Sequence, residues 1–239
     1  MMQAKKVAII TGASRGIGKS IAVKLNNFGY YVIGTCTPNN KDSFDHVHKM
    51  IDVDFDDEKS TIKFYDEIKK LKSISLLVNN AAINIIKSQV EVSNEEYSRI
   101  QNINVKIPYF LSSIVAEKMD KLGGGRIVNI ASIWSIITKE NRTLYTTMKS
   151  AIHGLTRAMA IEWATSNILI NTISPGFVNT DLTRNSLSKQ EISNIENSIP
   201  LKRLANPEEV AELVYFLGSD FNTYLTGQNI IIDGGYTII

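Results

Sequence analysis

The chain has 239 residues, 44% of them hydrophobic, with 26 basic and 24 acidic side chains for a net charge of +2. Such a length and composition suit one sizeable α/β core, and the balanced charge excludes the basic footprint of a nucleic-acid or membrane-surface binder. The lone Cys36 excludes an internal disulfide and a cysteine metal cluster, and suits a reducing cytoplasm, where it reads as a small buried hydrophobe. No apolar run reaches the roughly 18 residues of a membrane helix. The N-terminus, from Met1 to Lys6, passes directly into a strand and leaves no room for a signal peptide. The expectation is one cytoplasmic domain over 1–239, without a membrane or nucleic-acid partner.

In chain order, Val7 to Thr11 is a short apolar run of the kind found in doubly buried parallel strands. Gly12-Ala13-Ser14-Arg15-Gly16-Ile17-Gly18 follows at once, then a helical pattern from Ile17 to about Phe28. Strand, glycine-rich turn and helix N-terminus in that order make a phosphate-binding site. Glycines admit the pyrophosphate to the backbone, and the free N–H groups and helix dipole favour its charge. The glycine spacing is G-x-x-x-G-x-G rather than G-x-G-x-x-G.

A second strand, Tyr31 to Cys36, ends in Thr37-Pro38-Asn39-Asn40. No acid stands there before Asp42 to hold a ribose 2′-OH, whereas Arg15 and the Thr37 hydroxyl suit a 2′-phosphate; the cofactor expected is therefore NADP(H). Met50 to Val53 is a third strand whose Asp52 is placed to accept from an adenine amino group. The helix from Lys59 to Leu71 shows Ile62, Tyr65, Ile68 and Leu71 on one face. Ile74 to Val78 is strand four, closing in Asn79-Asn80-Ala81-Ala82, small residues over which a flat cofactor can lie.

A long helical stretch from about Asn94 to Leu122 is broken near Pro108 and contains Asn104; Gly123-Gly124-Gly125 stops it. Ile127 to Ala131 is strand five, with Ser132 at its end. Tyr145 and Lys149 lie four apart on the next helix, on one face. An ammonium there favours the phenolate and is expected to pull the tyrosine below its usual pKa of about 10, making it an acid/base with Ser132 on the same substrate oxygen. Ile168 to Ile173 is strand six, ending in Ser174-Pro175-Gly176. The polar segment 181–203 reads as a lid. Pro207 opens a helix to Leu217, and Ile230 to Asp233 is the last strand. His46, His48 and His153 lack partners at ligand spacing, so no metal site is expected. The pattern implies a single-domain Rossmann fold, a doubly wound parallel sheet of about seven strands with helices on both faces.

Thr11-Gly12-x-x-x-Gly16-x-Gly18, Asn79-Asn80-Ala81, Asn104, Ser132, Tyr145-x-x-x-Lys149 and Pro175-Gly176 together resemble the short-chain dehydrogenase/reductase family over essentially the whole chain. The resemblance implies a catalytic set of Ser132, Tyr145, Lys149 and Asn104. In it Ser132 and Tyr145 hold the carbonyl oxygen, Tyr145 gives the proton and NADPH the hydride. Lys149 would hold the nicotinamide ribose, and Asn104 would position a relay water. It also implies a cofactor lined by Gly12 to Gly18, Thr37, Asp52, Val53, Asn79, Ala81, Pro175, Gly176, Val178 and Thr180, and a homotetramer.

The subgroup most similar is the bacterial 3-oxoacyl-acyl-carrier-protein reductases, which implies reduction of a 3-oxoacyl thioester in fatty acid biosynthesis. Those reductases tend to carry basic residues where this chain has Gly123-Gly124 and Thr165-Ser166-Asn167. Between Ser132 and Tyr145 the loop is polar and charged (Thr138, Lys139, Glu140, Asn141, Arg142), with Trp134 beside the serine. That loop suits a free polar or anionic substrate, such as a keto sugar, sugar alcohol or keto acid. A third reading, a non-catalytic nucleotide-binding regulator, has no use for all four catalytic residues.

Overall fold

The computed structural model describes residues 6–38, 40 and 44–239. The sequence readings that touch Met1 to Lys5, Asn39 and Asp42 lie outside the described residues. Seven parallel strands form one sheet in the order β3-β2-β1-β4-β5-β6-β7. They are β1 (Val7–Ile10), β2 (Tyr31–Cys36), β3 (Lys49–Asp52), β4 (Leu76–Asn79), β5 (Gly125–Ile130), β6 (Ile168–Pro175) and β7 (Asn229–Ile232). The order reverses beside β1, so the C-terminal ends of β1 and β4 diverge into the crevice where doubly wound sheets bind ligands.

Helices cover both faces: α1 (Gly16–Asn27), α2 (Glu58–Lys70), α3 (Asn94–Gln101), α4 (Ile107–Asp120), α5 (Thr143–Glu162), α6 (Asp181–Ser186), α7 (Lys189–Ser198) and α8 (Pro207–Gly218). The central strands read as apolar runs because both their faces are buried. Ile9, Leu77 and Ile127 pack in a core with α2, α4 and α5, and Ala8, Ile10, Val78 and Val128 in another with α1 and α8. Elements begin and end within about two residues of the sequence boundaries, the usual latitude.

Two local readings are corrected. On α2, Ile68 is buried and Tyr65 and Leu71 pack against the core as expected, but Ile62 is exposed and Thr61 and Phe64 are buried in its place. Phe64 meets Phe55 edge-on at 5.7 Å inside that core. The break expected near Pro108 is instead a π-helical turn, Asn102–Lys106, that ends before the proline. Pro108 then sits in the first turn of α4, where its missing N–H costs nothing.

Candidate active site

The glycine turn is held from three sides. Gly12 N–H donates to Thr35 Oγ1 at 3.0 Å and Ala13 N–H to Thr35 O at 2.8 Å. Asn80 Nδ2 donates to the carbonyls of Thr11 and Gly12, both at 3.0 Å, while Thr11 Oγ1 accepts from the N–H groups of Asn80 and Ala81. His46 Nε2 lies 2.9 Å from Ala13 O. Sequence reasoning missed Thr35, Asn80 and His46 in this role, because they come from β2, the end of β4 and the segment before β3, and only folding brings them to the turn.

The turn needs its glycines for stated reasons. Gly12 and Gly16 have φ of +67° and +54°, in the left-handed region. A Cβ at Gly18 would stand 2.0 Å from Gly12 O. Arg15, the N-cap of α1, makes no side-chain cap, and the first turn carries no acid. The α1 N-terminus therefore presents its amides and dipole to an incoming anion. Arg15 and Thr37 are both exposed at the adjoining rim. A cradle that any Cβ would fill, an uncapped helix start and a basic rim fit a phosphorylated dinucleotide.

Asp52 ends β3, accepts from Cys36 Sγ at 3.0 Å, and is followed by the buried Val53. Ala81 lies against Gly12: a Cβ there would come 3.1 Å from Ala81 Cα. On the far side Pro175 ends β6, a Cβ at Gly176 would meet Asp233 Cβ at 2.8 Å, and Val178 bridges to Ala205. Thr180 caps α6 by accepting from Thr183 N–H, and its methyl is 3.4 Å from where a Gly16 Cβ would stand. The fold thus brings 12–18 and 175–180 together around one crevice.

Asn79 does not face it with its side chain. Its Nδ2 donates to Ser112 Oγ (2.9 Å) and Asn129 Oδ1 (2.7 Å), and Asn129 continues to Thr156 and Thr172 in a buried polar chain. A residue expected against the cofactor has its amide turned into the core. The alternation of β4 sends Asn79 inward and leaves Asn80 for the turn.

The candidate catalytic residues converge where β5 ends and α5 begins. Ser132, 8% exposed, accepts from Trp134 N–H at 3.3 Å. Lys149, 3% exposed, donates from Nζ to Ile130 O at 2.8 Å, and this ammonium lies 5.8 Å from the centre of the Tyr145 ring. Asn104 sits in the π turn and locks the segment after β4, accepting from Ile83 N–H at 2.9 Å and donating to Ile83 O at 2.8 Å. Single π turns of this kind recur at functional sites.

One electrostatic expectation is reversed in the protein by itself. Burial pushes the Tyr145 phenol up to about 12, against the opposing pulls of a hydrogen bond from Ser132 and the charge of Arg142. Burial also lowers Lys149 to about 8, since desolvation disfavours its charged form. The lysine spends its charge on the Ile130 carbonyl rather than on the phenolate. Spacing of four on a helix guarantees a shared face, not direct charge contact. His153, one turn beyond Lys149, is not directed at the crevice; its Nε2 lies 3.1 Å from Ser135 Oγ and 3.3 Å from Ser174 Oγ, tying α5 to β6. Among the described residues no cluster of three metal-ligating side chains occurs, and no helix is long and apolar enough to cross a membrane.

A parallel sheet with a dinucleotide cradle at its switch point, and a serine, tyrosine and lysine beside it, defines a nicotinamide-dependent oxidoreductase acting on CH–OH and C=O groups. Residues 12–237 match a family model described as enoyl-(acyl carrier protein) reductase. The chain belongs to the short-chain dehydrogenase/reductase family. It is 36% identical to a 3-oxoacyl-[acyl-carrier-protein] reductase of Buchnera aphidicola, with 97% of each chain covered. It is 35% identical to an NAD-dependent glycerol dehydrogenase of Listeria innocua, covering 98% of this chain and 94% of that one. Among solved structures, ElxO with NADP bound superposes with a TM-score of 0.89 at 29% identity, over 98% of this chain and all of that one.

Proposed function

We propose that this protein is an NADP(H)-dependent carbonyl reductase. The observation that carries the reading is the meeting of buried Ser132 and Lys149 with half-buried Tyr145 where β5 ends and α5 begins. A bound nicotinamide supplies the hydride, or accepts it in the reverse direction. The chain's residues do the rest. Ser132 and Tyr145 hold the substrate oxygen, and Tyr145 hands its proton to that oxygen as negative charge develops there. A phenol near 12 is a weak acid but a ready donor to an alkoxide. Ser132 and Arg142 stabilise the phenolate left behind, while Lys149, fixed by its bond to Ile130 O, would hold the nicotinamide ribose. The Asn104 amide is committed to Ile83, so a relay water on Asn104 would rest on its main chain. Arg15 and Thr37 would hold the 2′-phosphate, and 181–203, folded as α6 and α7, would cover the bound substrate.

Two substrate classes fit this chemistry. Reduction of a 3-oxoacyl thioester is supported by the carrier-protein reductase among the relatives. A free polar carbonyl compound is supported by the glycerol dehydrogenase and, in the structure, by the Lys139 and Arg142 cations over the ring of Trp134, two residues from Ser132. The rim favours the second class. A homotetramer in the cytoplasm is the assembly and setting proposed. NADPH oxidation assayed with acetoacetyl thioesters, keto sugars and keto acids tests the reading. Activity on at least one of them, lost in Tyr145→Phe with NADPH affinity kept, supports it; turnover by Tyr145→Phe above a few per cent of the parent rate refutes it.

A further inference from the structure

Arg142 is the N-cap residue of α5, three positions before Tyr145 and close enough for its charge to act on the phenol. Its guanidinium carbon lies 5.2 Å from the centre of the Trp134 ring. Trp134 is 8% exposed and meets Phe177 edge-on at 6.0 Å, so the plane on which Arg142 rests is fixed. Arg142 Nε is buried and finds no hydrogen-bond partner, and among the described residues no ion pair or hydrogen bond engages the guanidinium. Stacking satisfies the face of a guanidinium and leaves its edge of donors unmet. A buried, unmet N–H of a charged group is costly and calls for an explanation. Lys139 lies 5.6 Å from the same ring, and its charge also acts on Glu191 of the lid. Arg142 is the cation whose charge reaches the reacting phenol from this loop.

We propose that Arg142 is the specificity-determining residue, binding a carboxylate carried by the same molecule whose carbonyl reacts at Tyr145, so that the substrate is an oxo acid or hydroxy acid. The inference rests on the reductase reading and names its substrate class. A planar fork of N–H donors matches a carboxylate in two parallel bonds. A 3-oxoacyl thioester offers a neutral thioester carbonyl in place of the carboxylate, and so lacks the charge and the second oxygen that the fork would engage.

The test compares kcat/KM for pyruvate, 3-oxobutanoate and 4-oxopentanoate with their primary amides, in the parent enzyme and in Arg142→Gln, Arg142→Lys and Lys139→Gln. For the best-fitting length the acid should exceed its amide by about 10- to 100-fold, chiefly through KM, the range a charged hydrogen bond supports. Arg142→Gln should bring that ratio close to one, Arg142→Lys should restore part of it, and Lys139→Gln should shift it by less than about threefold. A ratio near one in the parent enzyme overturns the proposal, as does a ratio unchanged in Arg142→Gln or one that collapses in Lys139→Gln. Turnover of the amides or of acetoacetyl thioesters with no advantage for acids removes Arg142 alone and leaves the reductase standing. If no carbonyl compound is turned over, the reductase reading fails. Calorimetry of NADPH-loaded protein with succinate and succinamide then decides Arg142 separately: binding of succinate alone, lost in Arg142→Gln, supports the carboxylate site, and no succinate binding refutes it.

Discussion

Lys149 carries a cost that can be measured. Its ammonium is 3% exposed, with the Ile130 carbonyl at 2.8 Å and no carboxylate ion-paired to it among the described residues. Its pKa falls from 10.5 to about 8. At 1.36 kcal/mol per unit, keeping that charge inside the cofactor-free protein costs about 3 kcal/mol below pH 8. A lysine whose folded pKa is depressed releases its proton first in the native state. Between about 8 and 10.5 the unfolded chain therefore binds more protons than the folded one, and stability rises with pH across that window. By pH 9.5 about 2 kcal/mol of the cost should be recovered. Urea unfolding of the cofactor-free protein at pH 7 and 9.5, compared with Lys149→Met, isolates the effect, because every other titrating group is common to both proteins. The parent protein should gain about 2 kcal/mol more than the variant over that interval. Equal changes in the two proteins would show that the ammonium is solvated or paired, and would refute its placement. The raised Tyr145 acts with the opposite sign, but only as the unfolded chain ionises near pH 10 and above.

Other perturbations probe the cradle. Arg15→Ala should weaken NADPH binding about tenfold or more while changing NADH binding little, measured by fluorescence titration of both; equal losses would remove the phosphate from Arg15. Gly18→Ala places a methyl within 2.0 Å of Gly12 O, so it should cost at least about tenfold in dinucleotide affinity, and unchanged affinity would show that the turn can yield. Thr11→Val keeps the shape but orphans the amides of Asn80 and Ala81, and should lower unfolding free energy by about 2 kcal/mol in urea titrations.

The alternation of strand and helix, the glycine turn and the four-residue spacing of Tyr145 and Lys149 were all legible along the chain. These are local signals: a buried parallel strand must be apolar on both faces, and a backbone that meets a phosphate must be bare. The polar loop with Arg142 was legible as composition, but not as a stacked, unpartnered guanidinium. Only the tertiary structure decided which of Asn79 and Asn80 faces the turn, since the same dipeptide allows either until β4 is seated against β1 and β5. Thr35 in β2 and His46 before β3 reach the glycine turn from positions remote in sequence, and no periodicity encodes that meeting. The tyrosine's acidity was misjudged for the same reason. Spacing sets which groups are neighbours, whereas burial, a property of the whole packed chain, sets the sign of the shift.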